Sequence, residues 1–174
     1  MFHLMRHADT DWTLVNERRL VGAANDLAPL TDLGIRQVEA AVAQVRPLGI
    51  GLILTSPMTR ALQTAALLSR ALDVEFDLHE WVPDLTFSWT TPEEVLALIE
   101  HMRRHGGEWP CGESRPAWEP MSAVRQRGLG VLSRHATATY PIGVVTHGGV
   151  IESLTGRTVG LTDILSYDLP SPPL

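Results

Sequence analysis

The chain begins with MFHLMRHADTDW (residues 1–12), an apolar run that stops at a cation and an imidazole. Residues 2–5 are short and apolar, which predicts a buried β-strand. Arg6 and His7 follow this strand directly. In parallel α/β sheets, functional residues lie beyond the carboxyl ends of the strands. The stretch therefore predicts a strand that delivers Arg6 and His7 to a site at the edge of a sheet.

The rest of the chain alternates short apolar runs with helical patterns. Three further strands are predicted, at residues 52–55, 74–78 and 142–146. Helical patterns lie between them, and a compressed closing strand is expected within residues 164–169. This alternation predicts an α/β fold, a three-layer sandwich with a mainly parallel central sheet and helices on both faces. A length of 174 residues suits a single domain over residues 1–174.

Local signals predict where two of the helices begin. Thr31 is the expected N-cap of a helix that runs to about Arg46 and is stopped by Pro47. Ser56 is the expected N-cap of the next helix, with Pro57 at its first position. The apolar stripe predicted for the first of these helices consists of Ile35, Val38, Val42 and Val45.

Composition limits the classes of partner. The net charge is −6, from 20 acidic and 14 basic residues, which argues against nucleic-acid or anionic-membrane binding. All the basic residues are arginine, so a Schiff-base lysine and a P-loop lysine are excluded. A single cysteine, Cys111, and the absence of a secretory signal or a membrane-length apolar run predict a cytoplasmic protein.

The predicted strand ends bring together residues that suit anion chemistry. Arg6 and His7 follow the first strand, Arg60 follows the second, Glu80 the third and His147 the fourth. All except Glu80 can hold negative charge, and arginine grips phosphate bidentately. Each signal alone has an ordinary alternative: Glu80 can be a solvated turn residue, for example. Together they indicate a phosphate site.

The glycines after His147 leave two interpretations open. Gly148 and Gly149 can form a tight strand-to-helix turn. Alternatively, they open a helix whose N-terminal N–H groups bind a phosphate. Gly148 is accordingly a candidate phosphate-binding position.

The motifs occur in an order that is similar to a known family. They are RHA at 6–8, LTDLG at 30–34, SPMTRALQTA at 56–65, Glu80, the GES at 112–114 with Arg125, and VVTHGGV at 144–150. In this order, over nearly the whole chain, they resemble the histidine phosphatase superfamily and its phosphoglycerate-mutase-like fold. SPMTRALQTA together with THGGV is the specific part of the resemblance, whereas RHA alone is weak.

The resemblance implies phosphoryl transfer through a phosphohistidine. His7 would be the nucleophile, with one ring nitrogen held by a backbone carbonyl and the other attacking phosphorus. Arg6, Arg60 and His147 would surround the phosphoryl oxygens, and Glu80 would act as general acid and then as base. No metal and no cofactor are expected, because the arginines supply the positive charge.

Two threonines near the first motif have less certain roles. Thr10 is either a hydrogen-bond donor to the phosphoryl group or a local cap. Thr13 stands where many family members carry asparagine, so a phosphate contact from it would have a shorter reach.

The segment of about residues 81–118 is predicted to be a variable insert or lid. It carries Trp81, Trp89, Trp109 and Trp118, four of the five tryptophans of the chain. Indoles in such a segment either cover the core or face the pocket. Which of them face the pocket is left open at this point.

The predicted activity is that of a metal-independent phosphomonoesterase acting on a small phosphate ester. Alternatives are phosphoglycerate-mutase-type transfer, a protein phosphohistidine phosphatase and a non-catalytic binding protein on the same fold. His3/His7 and His101/His105 have i, i+4 spacing, which raises a metallohydrolase, but no HExxH motif or acidic cluster completes a ligand set. The sequence names neither the substrate nor the oligomeric state.

Overall fold

The computed structural model describes residues 1–18, 26–77, 92–110 and 118–170. The strands among these residues are β1 (Phe2–Arg6), β2 (Leu52–Thr55), β3 (Phe76–Asp77), β4 (Ile142–Thr146) and β5 (Ile164–Tyr167). The helices are α1 (Thr13–Glu17), α2 (Asp32–Val45), α3 (Thr59–Leu72), α4 (Pro92–Arg104), α5 (Met121–Arg134) and α6 (Gly148–Thr155).

The five strands form one sheet in the order β3-β2-β4-β1-β5. All neighbours pair in parallel except β5, which runs antiparallel to β1. The predicted mainly parallel α/β sheet is therefore confirmed. In the register of the two central strands, Arg6 lies opposite Thr146, so the residues that follow them, His7 and His147, leave the sheet side by side.

Helices cover both faces of the sheet, as predicted for a three-layer sandwich. Leu4 points into a buried cluster with residues of α5 and α6, such as Val124 and Ile151. Its neighbour Met5 points into a second cluster with residues of α2 and α3, such as Val38. Successive side chains of a strand point to opposite faces, which is why β1 is apolar throughout.

Helix α2 begins where the sequence predicts it. The Thr31 hydroxyl oxygen accepts the Gly34 N–H at 2.9 Å, which caps the helix. The helix ends at Val45 with Arg46 as its C-cap, just before Pro47 as predicted, and a 3₁₀ turn, Arg46–Leu48, follows. The predicted stripe is wrong at Ile35, which is 38% exposed, because Gly34 faces the protein there.

Helix α3 begins later than its N-cap signal predicts. Its N-cap is Met58 and its first residue is Thr59, so Ser56 is not the N-cap and Pro57 precedes the helix. The Ser56 hydroxyl lies instead 2.7 Å from the Nε2 atom of His147. The Ser56 hydroxyl, which the local pattern assigned to the helix N-terminus, thus makes a tertiary contact with His147.

The remaining elements follow their patterns with shifted ends. The strand predicted at 74–78 is only the two residues of β3, while its end at Leu78 lies outside the described residues. The short helix expected after HGG is α6, and the compressed closing strand is β5. Among the described residues, no helix has the length and apolar character needed to cross a membrane.

Candidate active site

Four of the predicted site residues meet in one cleft at the carboxyl end of the sheet. Arg6 ends β1, His7 follows it, Arg60 lies in the first turn of α3, and His147 is the N-cap of α6. All four line a cleft of about 580 Å³. His7, Arg60 and His147 are buried, at 7%, 4% and 1% exposure, although each is polar. Buried polar side chains of this kind need partners, and the cleft holds them in fixed positions.

The His7 ring is held in one tautomer by the main chain. Its Nδ1 atom lies 2.8 Å from the carbonyl oxygen of Ala8. Since a carbonyl only accepts hydrogen bonds, Nδ1 carries the proton and donates it. In the neutral ring the lone pair is then on Nε2, which is the form a nucleophilic imidazole requires. The geometry thus provides the backbone partner that the sequence analysis predicted without identifying it.

Thr10 contacts the same main-chain carbonyl as the His7 ring. Its hydroxyl donates to the same Ala8 carbonyl at 3.2 Å and lies 3.4 Å from His7 Nδ1. Thr10 is 8% exposed and lines the cleft, so both interpretations of its role remain compatible with its position. The observed hydrogen bond is local, and it orients the carbonyl that holds His7.

His147 faces His7 across the inner end of the cleft. The two ring centroids are 5.2 Å apart and the rings meet edge to face at 61°. Burial, followed by the nearby charges of Arg60 and Arg6, holds the pKa of His147 well below its usual value. His147 is therefore neutral at physiological pH, and its ring can serve as a hydrogen-bond donor without adding a third cation beside Arg6 and Arg60.

A single turn of chain after α6 fixes Arg6. The guanidinium Nη1 donates to the Val159 carbonyl at 3.0 Å. The main-chain N–H of Arg6 donates to the Asp163 carbonyl, and its own carbonyl accepts from the Thr162 N–H. Within the described residues the buried Nε of Arg6 has no hydrogen-bond partner, so this donor is available to an anion in the cleft.

Arg60 is held by soft partners. Its Nη2 donates to the Met58 sulfur at 2.9 Å, and its guanidinium carbon lies 5.3 Å from the centre of the Trp12 ring. These two contacts position the guanidinium at the cleft, where its planar donor groups suit an anion.

The N-terminus of α6 closes the inner end of the cleft. Gly148 is the first residue of this helix, and a Cβ built there would lie 3.5 Å from Arg6 Cζ and Nε. Arg6 thus packs directly on the helix start. The N–H groups of the first turn add partial positive charge at the same place. Gly148 lies in the cleft, as predicted for a phosphate-binding position.

The structure does not bring Thr13 into this site. Thr13 is exposed and begins α1, where its N–H donates to the Asp11 carboxylate at 2.8 Å. Hydrogen bonds from the Thr13 side chain and main chain lower the pKa of Asp11. Thr13 is not among the residues that line the cleft, and its main-chain N–H serves the helix start, so the phosphate-binding role assigned to it stays a prediction that this geometry does not support.

Glu80, the predicted general acid, lies outside the described residues. Two other acids line the cleft, Asp9 and Glu152. Asp9 accepts a hydrogen bond from the Thr31 hydroxyl at 2.7 Å. Glu152 lies on α6 with its side chain exposed. The role assigned to Glu80 stays a prediction.

The cleft lining also contains residues that the sequence analysis did not assign to the site. They are Ile99, Met102 and Arg103 of α4 and Glu152 of α6. These residues belong to the cleft because of where the two helices lie in the fold, which the sequence pattern does not show.

The described tryptophans of the predicted lid do not line the cleft. Trp118 is 3% exposed, and its Nε1 donates to the Gly107 carbonyl. Trp109 is 41% exposed and donates to the Trp118 carbonyl. The indole that does line the cleft is Trp12, from the first motif. Trp81 and Trp89 lie outside the described residues.

The spacing of His3/His7 and of His101/His105 raised the possibility of a metal site. In the part of the chain that the structure describes, no group of three or more His, Cys, Asp or Glu side chains is placed to hold a metal ion. His101 and His105 have ring centroids 4.6 Å apart, and His105 Nδ1 lies 3.0 Å from the His101 carbonyl.

The fold and this cleft define the class of protein: it is an α/β protein with an Arg-His pair, a second arginine and a second histidine lining one cleft. A family model of the histidine phosphatase superfamily (branch 1) matches residues 2–170. The chain belongs to this superfamily, as its motifs predicted.

The known proteins that the chain is similar to include some named as phosphatases and some named as probable phosphoglycerate mutases. A protein of Proteus mirabilis named "Probable phosphoglycerate mutase GpmB" is 35% identical over 168 residues, covering 91% of this chain and 74% of the relative. Among solved structures, "Mycobacterial hydrolase 1" has a TM-score of 0.70 at 20% identity and covers 94% of this chain and 88% of its own. The mycobacterial glucosyl-3-phosphoglycerate phosphatase has a TM-score of 0.66 at 20% identity, with coverages of 89% and 78%.

Proposed function

We propose that the protein is a phosphomonoesterase that hydrolyses a small phosphate ester through a phosphohistidine on His7. One observation supports the proposal most: the Ala8 carbonyl fixes the His7 ring with Nδ1 protonated, in a cleft that Arg6 and Arg60 also line. A buried, oriented imidazole beside guanidinium groups suits attack on a phosphate dianion.

In the first step His7 Nε2 attacks phosphorus, and the P–O bond of the ester breaks as the N–P bond forms. Arg6 and Arg60 stabilise the charge on the non-bridging oxygens, and the neutral His147 adds a hydrogen bond. Phosphoryl transfer depends mainly on such positioning and charge stabilisation. Glu80 is proposed to give its proton to the leaving alkoxide.

In the second step water attacks the phosphorus of phosphohistidine. The Glu80 carboxylate takes the proton from this water, the N–P bond breaks, and inorganic phosphate leaves with His7 restored. Neither step uses a metal ion or a cofactor in this proposal. The substrate is a small molecule, and the proposal places the enzyme in the cytoplasm, in keeping with its single cysteine.

The test follows phosphate release from glycerol 3-phosphate, with EDTA present throughout. His7→Ala is expected to abolish turnover, and ³²P-labelled substrate should leave an acid-labile, alkali-stable label on the wild type but not on this variant. His101→Gln is the matched control, since His101 is half-buried and lies outside the cleft lining. Turnover that survives His7→Ala would refute the nucleophile.

Phosphoglycerate-mutase-type transfer is the second candidate, favoured by the names of the relatives. A mutase must protect its phosphoenzyme from water long enough to return the phosphoryl group to a second hydroxyl. With 3-phosphoglycerate as substrate, a phosphatase releases phosphate faster than it forms the 2-isomer. Isomerisation that outpaces phosphate release would establish the mutase and replace the hydrolase proposal.

A further inference from the structure

The connection between α6 and β5 holds Arg6 both by its main chain and by its side chain. The guanidinium Nη1 donates to the Val159 carbonyl at 3.0 Å. The main-chain N–H of Arg6 donates to the Asp163 carbonyl at 3.3 Å, and its carbonyl accepts the Thr162 N–H at 3.1 Å. One short stretch of chain thus sets the place of an arginine that lines the cleft with His7.

Thr162 has a backbone conformation in this stretch that its own side chain disfavours. Its φ is +60°, in the left-handed region, where a β-branched residue is a genuine outlier. In this conformation the Thr162 N–H donates to the Arg6 carbonyl. Because such a conformation persists only where surrounding contacts hold it, the stretch needs a further contact that keeps it closed.

The Asp163 carboxylate supplies that contact. Its Oδ2 accepts the Gly160 N–H at 2.7 Å, and the Asp163 N–H donates to the Gly160 carbonyl at 3.3 Å. Residues 160–163 therefore form a turn that a side chain closes, as Asp commonly does. The bond joins Asp163 to the neighbour of Val159, and these are two of the places where the connection holds Arg6.

We propose that Asp163 is a positioning residue for the reaction, because its carboxylate closes the 160–163 turn and thereby fixes the Arg6 guanidinium where it binds the phosphoryl group. Asp163 lies outside the cleft lining and acts only through Arg6. The inference rests on the proposed function in taking Arg6 as a ligand of the phosphoryl oxygens. A misplacement of about 1 Å in such a site can slow the reaction by about 10²-fold.

A carboxylate near an anion site can also act through its charge, and this effect has the opposite sign. Loss of the charge reduces repulsion of a phosphate dianion, so binding would become tighter. An open turn loosens Arg6, so binding would become weaker. Asp163→Asn removes the charge but keeps an oxygen that can accept the Gly160 N–H, whereas Asp163→Ala removes both. The two variants therefore separate positioning from charge.

The test measures phosphate affinity and turnover on the same variants. We expect Asp163→Ala to raise the Kd for inorganic phosphate, measured by calorimetry, by about three- to tenfold. It should lower kcat for glycerol 3-phosphate by about tenfold. Asp163→Asn should keep both values within about twofold of the wild type, since the turn stays closed. A carboxylate with only a structural role would change the urea midpoint and leave the Kd of the folded protein unchanged.

Gly160→Ala tests the other side of the same hydrogen bond. A Cβ there would lie 3.1 Å from Asp163 Oδ2, so the carboxylate must shift by a few tenths of an ångström. We expect effects in the same direction as those of Asp163→Ala and smaller. Combining the two substitutions should add little to Asp163→Ala alone, because both act on one bond. Gly160→Ala decides the matter if Asp163→Ala does not fold.

Thr155→Ala is the matched control. The Thr155 hydroxyl accepts the Arg157 N–H at 3.1 Å, so it too closes a turn in the chain between α6 and β5. Thr155 lies outside the cleft lining. Its substitution should leave both the Kd for phosphate and kcat unchanged.

Three results would overturn the inference. The first is an Asp163→Ala variant that binds phosphate and turns over as the wild type does. The second is an equal effect of Asp163→Ala and Asp163→Asn, which would assign Asp163 a role through its charge. The third is a Thr155→Ala variant as impaired as Asp163→Ala. A wild type without His7-dependent turnover refutes the proposed function, and the Kd values for phosphate then decide the role of Asp163 alone. A wild type with neither turnover nor phosphate binding refutes both.

Discussion

The inner and outer ends of the cleft are built in different ways. At the inner end, which His7 and Arg6 line, main-chain carbonyls hold the side chains: Ala8 holds His7, and Val159 holds Arg6. At the outer end, Arg103 and Glu152 are exposed on helix surfaces and have no such anchors in the described structure. The side chains at the strand ends are therefore fixed by the main chain, whereas those on the helix surfaces can be exchanged without disturbing the sheet.

The largest expected effect comes from making the same substitution at each end. Arg6→Gln removes a fixed charge from the phosphoryl oxygens, and we expect kcat for glycerol 3-phosphate to fall by about 10²–10³. Arg103→Gln should change kcat for this uncharged leaving group far less. Steady-state kinetics on both variants, with circular dichroism as a check on folding, measures the difference. If both variants lose kcat equally, the two ends of the cleft do not differ in their contribution to turnover.

The second prediction concerns the packing beneath the inner end. Gly34 lies against the loop that follows His7, and a Cβ there would come within 2.3 Å of the Asp9 carbonyl oxygen. Gly34→Ala must displace this loop, and we expect the free energy of unfolding to fall by about 1–3 kcal/mol.

Gly130→Ala is the control for that substitution. Gly130 lies within α5, and a Cβ there meets nothing within 4 Å. Alanine should therefore stabilise α5 by about 0.5–1 kcal/mol. Urea denaturation of both variants gives the two values, and a Gly34→Ala variant as stable as Gly130→Ala would show that the loop is not tightly packed.

The inner end was predictable because it follows from strand order. Arg6, His7 and His147 directly follow apolar runs, and parallel pairing of β1 with β4 brings them together whatever the helices do. The outer end was not predictable, since Arg103 and Glu152 are ordinary surface positions of amphipathic helices. They share a cleft only because of how α4 and α6 are placed over the sheet.

Local signals failed where tertiary contacts compete with them. Ser56 followed by proline has the pattern of a helix start, yet its hydroxyl bonds to His147 and α3 begins at Thr59. Ile35 fits a helical stripe, but Gly34 faces inward because α2 approaches the main chain of Asp9 at that point. Neither competing contact is visible in the spacing of the residues.

The third prediction uses the buried imidazole of His147. Its pKa in the folded protein is well below 6.5, so between that pKa and about 6.5 the unfolded chain binds a proton that the folded chain does not. The free energy of unfolding should therefore fall as the pH drops below about 6.5, by at most about 1.4 kcal/mol per pH unit. His147→Gln should flatten this slope.

His3 provides the comparison for that pH profile. Burial, followed by the charge of the N-terminus, also lowers its pKa, so it contributes in the same direction. His3 does not line this cleft, and the pKa of His147 is lowered further, because the charges of Arg60 and Arg6 add to the effect of its burial. His3→Gln should flatten the profile less than His147→Gln does. Thermal unfolding from pH 4.5 to 7.5 measures the pH dependence of stability for both variants. If His3→Gln flattens this dependence more than His147→Gln does, His147 is not the main source of it.

The smallest expected effect is on kcat/KM and comes from substituting Trp12, which lines the cleft. Trp12 is 41% exposed at the cleft, and its ring lies beside the guanidinium of Arg60. Such a cation–π contact at an exposed site is worth about 0.5–1 kcal/mol, so Trp12→Leu should lower kcat/KM by about two- to fivefold. Trp12→Phe keeps an aromatic face and should recover part of the loss.

Trp109→Leu is the matched control, equally exposed at 41% but outside the cleft lining, and should leave kcat/KM unchanged. If Trp12→Leu behaves like this control, the Trp12 ring does not help to position Arg60. The contact with Met58 and the burial of the Arg60 side chain would then be sufficient.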